Sequence, residues 1–192
     1  ILIDLSRIRK GVLTVLCFLL IVVCTLAELK AAETGTNIPA DEIEYKNYSA
    51  FDGKIAFKLP AKWSTTLRKF DSNEVLYHND FISDDKIIHG FVEVWNLNMP
   101  LIEFIKQGKE NPIGIASYKN YTIEDVRING MDGYILSYSR AGSEGKYIKA
   151  FEVFILDKGN SFYRFSFFMD ESKWKNEYRM FFLNIAASLK VT

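Results

Sequence analysis

In Tyr147-Ile148-Lys149-Ala150-Phe151-Glu152-Val153-Phe154-Ile155-Leu156 and Ser161-Phe162-Tyr163-Arg164-Phe165-Ser166-Phe167-Phe168-Met169, two apolar runs of strand length flank the turn sequence Asp157-Lys158-Gly159-Asn160. Side chains alternate across a strand with a period of two. Phe162, Arg164, Ser166 and Phe168 therefore fall on one face of the second run, and Tyr163, Phe165 and Phe167 on the other. The pair reads as a hairpin. After it, Trp174, Tyr178, Phe181, Phe182 and Ile185 repeat at spacings of three and four, which predicts a final helix with Asp170 as its cap.

The same reading extends upstream. Asn129-Gly130 is the strongest hairpin dipeptide of the chain, set between strands expected at about Tyr121–Ile128 and Tyr134–Tyr138. Ile87–Leu97 alternates as a strand. Trp63–Phe70 and Glu74–His78 are shorter candidates around Asp71-Ser72-Asn73. Ile55–Leu59 alternates and ends at Pro60, which cannot donate to a ladder, and Tyr45–Ser49 precedes it. Between these strands Asn98 and Pro100 open a helix with the apolar stripe Leu101, Phe104, Ile105, and Gly108 suits its end. Strands joined by hairpins, with two amphipathic helices to bury, predict an α+β domain built on a largely antiparallel sheet of about six strands.

At the other end, Arg7-Ile8-Arg9-Lys10 precedes Gly11–Ala27, an apolar run with no charged residue. A helix of that length spans roughly 25 Å, the short end of a bilayer crossing. The basic cluster stays cytoplasmic by the positive-inside rule, so the chain beyond the run is exported. Two alternatives remain open, a retained anchor and a signal peptide cleaved at Thr25-Leu26-Ala27. Residues 1–27 form this signal or anchor segment, one N-terminal hydrophobic helix. Residues 28–44 form a flexible stalk, and residues 45–192 form the α+β domain. The two cysteines, Cys17 and Cys24, both lie in the apolar run. The exported part therefore has neither a disulfide nor a thiolate.

Composition limits the function. Of 192 residues, 48% are hydrophobic and 15% aromatic, and 24 basic residues balance 24 acidic ones. That excludes a disordered tail and a basic nucleic-acid binder. His78 and His89 are the only histidines, with Asp80, Asp84 and Asp85 between them. A metal or hydrolytic site there requires both imidazoles to face one point. The stretch reads instead as a solvated acidic loop with two surface histidines. No nucleophile motif surrounds Ser72 or Ser83. Gly142-Ser143-Glu144-Gly145-Lys146 lacks the spacing and strand-to-helix context of a phosphate loop. No catalytic, cofactor-binding or metal-ligating residue is assigned, and no cofactor is expected.

Tyr48-Ser49 followed by Gly53-Lys54-Ile55-Ala56-Phe57-Lys58-Leu59-Pro60-Ala61-Lys62-Trp63 resembles the opening of PsbP-like domains. Ile128-Asn129-Gly130-Met131-Asp132-Gly133-Tyr134 is similar to that family's central hairpin. Phe151–Leu156, Phe162–Phe168 and the closing Ala187-Ser188-Leu189 follow its order. The resemblance implies an antiparallel sheet of six or seven strands sandwiched by helices. The family includes an extrinsic photosystem II subunit and a nuclear-import factor sharing the fold, both of which act by binding proteins. It implies a noncatalytic accessory domain, not a photosynthetic role, because no photosystem-docking motif is present.

The expected function is that of an extracytoplasmic, membrane-tethered binding domain, not an enzyme. Its expected partners are the membrane, through residues 11–27, and an unknown protein, with a small apolar ligand as a further candidate and no nucleic acid. The alternatives are an exported hydrolase with an active loop around His78–His89, or a carrier holding an apolar ligand between sheet and helix. The dense aromatics of the second half leave two readings open: a sheet covered on both faces, or one aromatic face left partly open for binding. On this topology, protease added after opening only the outer compartment digests residues 45–192. Protection of those residues under the same conditions would reverse the orientation.

Overall fold

The computed structural model describes residues 43–110, 118–142 and 145–192. Gly11–Ala27 and most of the expected stalk lie outside the described residues, as do Ser143 and Glu144. Glu42–Thr192 forms one compact unit. Among the described residues no helix is long and apolar enough to cross a membrane.

The strands are β1 (Tyr45–Ala50), β2 (Ile55–Pro60), β3 (Ser64–Arg68), β4 (Val75–Ile82) and β5 (His89–Asn96). Helix α1 (Leu101–Glu110) comes next, then β6 (Tyr118–Ile128), β7 (Met131–Ala141), β8 (Tyr147–Leu156) and β9 (Ser161–Asp170). Helix α2 (Glu177–Ala187) and β10 (Lys190–Val191) close the chain. The described strands make two antiparallel sheets: seven strands in the order β3-β4-β5-β9-β8-β7-β6, and three in the order β1-β2-β10. The α+β class and the antiparallel hairpins hold. The expected single sheet of about six strands becomes ten strands in two sheets.

Local chemistry explains both the agreements and the differences. Asn129 and Gly130 have φ of +52° and +82°, the pair of positive values that a two-residue hairpin turn requires. The Asn129 amide also donates to the Ala187 and Leu189 carbonyls at 2.8 and 2.9 Å, tying this turn to the end of α2. Gly133 sits mid-strand because a Cβ there would come within 2.0 Å of the Phe154 carbonyl oxygen. Asp170 does not cap the final helix. Its carboxylate accepts from the Ser172 N–H at 2.9 Å and caps a 3-10 turn over Glu171–Lys173. Helix α2 consequently starts at Glu177, after Trp174. Helix α1 runs past Gly108 to Glu110. β10 is two residues long, too short to show a period, and exists because it pairs with Ile55 and Ala56.

The seven-stranded sheet is covered on one face by α2 and the small sheet. There Phe57, Leu59, Val92, Val153, Phe165 and Phe167 are buried. Phe167 and Phe182 stack at 4.1 Å. Helix α1 packs on the other face through Leu101 and Ile105, against Leu136, Tyr138, Phe154 and Phe162. Strands β8 and β9 are apolar over most of their length because most of both faces meets other layers, with Glu152, Arg164 and Ser166 as the interruptions. Trp63 is only 7% exposed; it stacks on Phe81 at 5.1 Å and meets Phe181 edge-on at 6.0 Å. Trp63→Ala is expected to cost about 3–5 kcal/mol in denaturant unfolding, the usual penalty for removing a large core aromatic. A loss below about 1 kcal/mol would contradict this packing.

Candidate functional site

The α1 face of the large sheet carries a polar centre, placed by register. His78 lies opposite Glu93, Glu93 opposite Arg164, and Arg164 opposite Phe154. One step along, Asp80, Phe91, Ser166, Glu152 and Leu136 make a parallel row. The period of two keeps all of these side chains on one side.

They form one network. His78 Nδ1 meets Glu93 Oε1 at 2.7 Å and its Nε2 meets Asp80 Oδ1 at 2.8 Å. Carboxylates only accept, so both contacts are hydrogen bonds when both ring nitrogens carry hydrogen. Trp95 Nε1 donates to Glu93 Oε2 at 2.8 Å, and Arg68 pairs with Asp80. Arg164 donates to Glu93 Oε2 at 3.2 Å, and twice to Glu152 Oε2, at 2.8 and 2.5 Å. Glu152 also accepts from Ser166 Oγ at 2.6 Å and from the Tyr138 hydroxyl at 3.0 Å. The Arg164 guanidinium lies 4.9 Å from the Phe91 ring centre and 5.3 Å from that of Phe154. Burial works against the charge of Arg164, but the attraction of Glu152 and Glu93 outweighs it and raises its pKa. Burial and then the Glu152 charge push the Tyr138 phenol up. Burial, with Tyr118 and Glu152 adding to it, takes Tyr121 to about 12. Among the described residues no buried side-chain nitrogen or oxygen lacks a partner.

Beside this network the same face opens. Helix α1 covers the end with Phe162 and Leu136, and the other end is a cleft of about 450 Å³. Phe91, Phe168 and His89 line it, with ring centres 5.8 Å apart for the phenylalanines and 5.7 Å for His89 and Phe168. Arg68 and Asp80 line one side, and Arg140 reaches in from β7. Burial, and then the Arg140 charge, hold His89 below its ordinary 6.5. Among the described residues the sheet is thus covered on one face and partly open on the other, the second of the two readings that the sequence left.

The expected acidic loop is shortened: the strand expected to end at His78 runs on through Asp80 to Ile82, so only Ser83–Ile88 turns, and His89, exposed as expected, begins β5. His78 is buried, not a surface residue. The two histidines share no partner: His78 contacts Phe91, and His89 contacts Phe168. Ser83 and Asp85 serve the turn. Ser83 Oγ donates to Asp85 at 2.6 Å and accepts from the Ile88 N–H at 2.9 Å. Ser72 Oγ accepts from the Glu74 N–H at 3.1 Å. Among the described residues no group of three or more His, Cys, Asp and Glu is placed to hold a metal. Sequence reasoning missed the network, although Glu93, Glu152 and Arg164 inside otherwise apolar strands were its visible sign.

No family model matches the chain, and no curated protein matches it. Among solved structures, it is similar to cyanobacterial PsbP (CyanoP) from Synechocystis sp. PCC 6803. The TM-score is 0.55 at 16% identity, over 83% of this chain and 99% of that one. It is also similar to a Bacteroides thetaiotaomicron protein, with TM-score 0.51 and 15% identity, over 77% of this chain. There the match spans about half of the other protein, 48% of its length. These likenesses show the fold: residues of this chain form a PsbP-like domain.

The titrations of Asp80 and His89 give a signed pH dependence. Burial alone works to raise the pKa of Asp80, but hydrogen bonds and charges from His78 and Arg68 win and lower it from 3.8. The unfolded chain therefore takes up this proton first, and the contribution of Asp80 is lost as pH falls below about 4. His89 is a base whose pKa is lowered from 6.5, so its unfolded form also takes up its proton first. Stability then begins to fall below about pH 6.5. Unfolding measured from pH 7 to 2 is expected to show both slopes. Asp80→Asn flattens the lower one and His89→Gln the upper one, and unchanged slopes in both variants would refute these assignments.

Proposed function

We propose that the chain is an extracytoplasmic, membrane-tethered accessory domain that binds a protein partner without catalysing a reaction. The observation that carries this reading is the exposed apolar tip of the β3–β4 hairpin. Leu67 is 60% exposed, Phe70 50% and Leu76 47%. Phe70 stands on the His78 face and Leu67, opposite Asn79, on the other, so the hairpin exposes large apolar groups on both sides, and such exposure marks an interaction element. Phe70 stands edge-on over His78 at 5.0 Å, so the tip is mounted on the buried network. β3 is also an edge of the large sheet among the described strands, which presents backbone groups to a partner. The basic cluster ahead of Gly11–Ala27 supports the tether and the exported side.

Against an exported hydrolase stands the filling of both His78 nitrogens by carboxylates. A general base needs a nitrogen free for the proton it abstracts. The carrier alternative asked for a cavity between sheet and helix, whereas the cleft lies beside α1 on the open part of the sheet.

The test is a tagged full-length chain recovered from native membranes, with partners identified by mass spectrometry. Leu67→Ser, Phe70→Ser and Leu76→Ser together are expected to lower recovery of the wild-type partner at least about tenfold, as removal of hot-spot contacts does. The melting temperature should stay within a few degrees, since these positions are exposed. Undiminished recovery by the folded triple variant would remove the hairpin from the binding surface.

A further inference from the structure

The cleft on the open part of the sheet stands on side chains other than the hairpin tip, and it goes beyond the partner reading. We propose that it binds a small apolar organic anion, with the carboxylate paired to Arg140 and the hydrocarbon laid across Phe168 and Phe91.

Three observations carry this. The first is size: about 450 Å³ lies within the range of small-molecule pockets. The second is charge. Arg68 is neutralised by Asp80 on one side of the cleft, whereas Arg140 is half-buried and has no ion-pair partner among the described residues. With His89 held toward its neutral form, the cleft carries one uncompensated positive charge at pH 7. One carboxylate balances it, and a guanidinium binds that group bidentately. The third is surface. Phe91 and Phe168 are only partly buried, whereas Phe162, Phe165 and Phe167 on β9 are covered. Among the described residues neither helix packs on this end, and the polar network beside it holds the Phe91 ring against Arg164 at 4.9 Å. Arg140 springs from β7 and Phe91 from β5, three strand spacings or ~14 Å apart in the sheet order. The arginine side chain spans part of that distance, which leaves room for two fused rings or a medium-length acyl chain.

The probe is 2-naphthylacetate, added to the full-length chain in zwitterionic lipid nanodiscs, with empty nanodiscs as the background. Binding is read at the site by the imidazole NMR signals of His89. Saturable shifts of these signals are expected. Arg140→Gln should weaken binding roughly 10- to 100-fold, the range for losing a hydrogen-bonded charge, with Arg140→Lys between. The neutral analogue 2-naphthaleneethanol should bind at least about tenfold more weakly than the acid, because it leaves Arg140 unpaired. Ile82→Glu provides a second variant at an exposed position that lines the cleft. It places a carboxylate beside the anion and should weaken binding at least about tenfold, whereas Ile82→Leu should not. The proposal is overturned if no saturable His89 shift appears at millimolar probe. It is also overturned if acid and alcohol bind alike, or if Arg140→Gln and Ile82→Glu both bind the probe as tightly as the unaltered chain.

Discussion

Arg164 is a cation in the middle of a sheet, and the arrangement around it arises from the need to keep that cation satisfied. Its guanidinium bridges Glu93 on β5 and Glu152 on β8, while its own strand, β9, runs between them. Glu152 is only 1% exposed and has no water to fall back on. Removing one partner of such a group typically costs about 3–5 kcal/mol, because an uncompensated charge stays buried. The network also constrains register. A slip of one residue in β9 would carry Arg164 into the aromatic layer of Phe57, Phe151 and Phe182 and take Phe165 and Phe167 out of it. That alternative combines a buried unpaired charge with the loss of the core, so a single pairing of β5, β9 and β8 is strongly preferred.

This division of labour gives the two faces of the sheet different roles. The α2 face is mostly apolar, with Asn79 and Ser139 as its buried polar residues, and it accounts for folding through stacked rings such as Phe167 on Phe182. The α1 face has a polar centre, which a helix cannot cover with aliphatic side chains alone. Helix α1 therefore packs to one side, over Phe162 and Leu136, and among the described residues the other side stays open. Surface available for recognition thus arises where the polar network ends and the helix does not reach. The exposed hairpin tip adjoins the same region through Phe70 and His78.

Much of this was legible in the sequence, and the reasons for the rest are physical. The two faces of β9 could be read from Phe162, Arg164, Ser166 and Phe168 alone, since a two-residue period needs no partner to be seen. The Asn129-Gly130 turn and the start of α1 near Pro100 are local chemistry as well. Short motifs from Tyr48 to Trp63 and from Ile128 to Tyr134 pointed to the PsbP-like fold that the solved structures share. The illegible part depends on partners distant in sequence. Glu93 and Arg164 are 71 residues apart, and no local pattern says that they pair. Asp80 looked like a loop residue and His78 like an exposed strand end, because polar residues in a strand look solvated until Glu93 is placed beside them. β10 exists only because β2 offers an edge, and Asp170 caps the nearer of two possible helix starts.

The fold and its open face both rest on Arg164 and Glu152 acting as one unit. A double-mutant cycle of Arg164→Met and Glu152→Leu, read by denaturant unfolding, tests this most directly. Each single change is expected to be strongly destabilising, and the double variant should regain much of the loss, with a coupling of about 2–3 kcal/mol. Losses that simply add, with coupling near zero, would contradict the pairing.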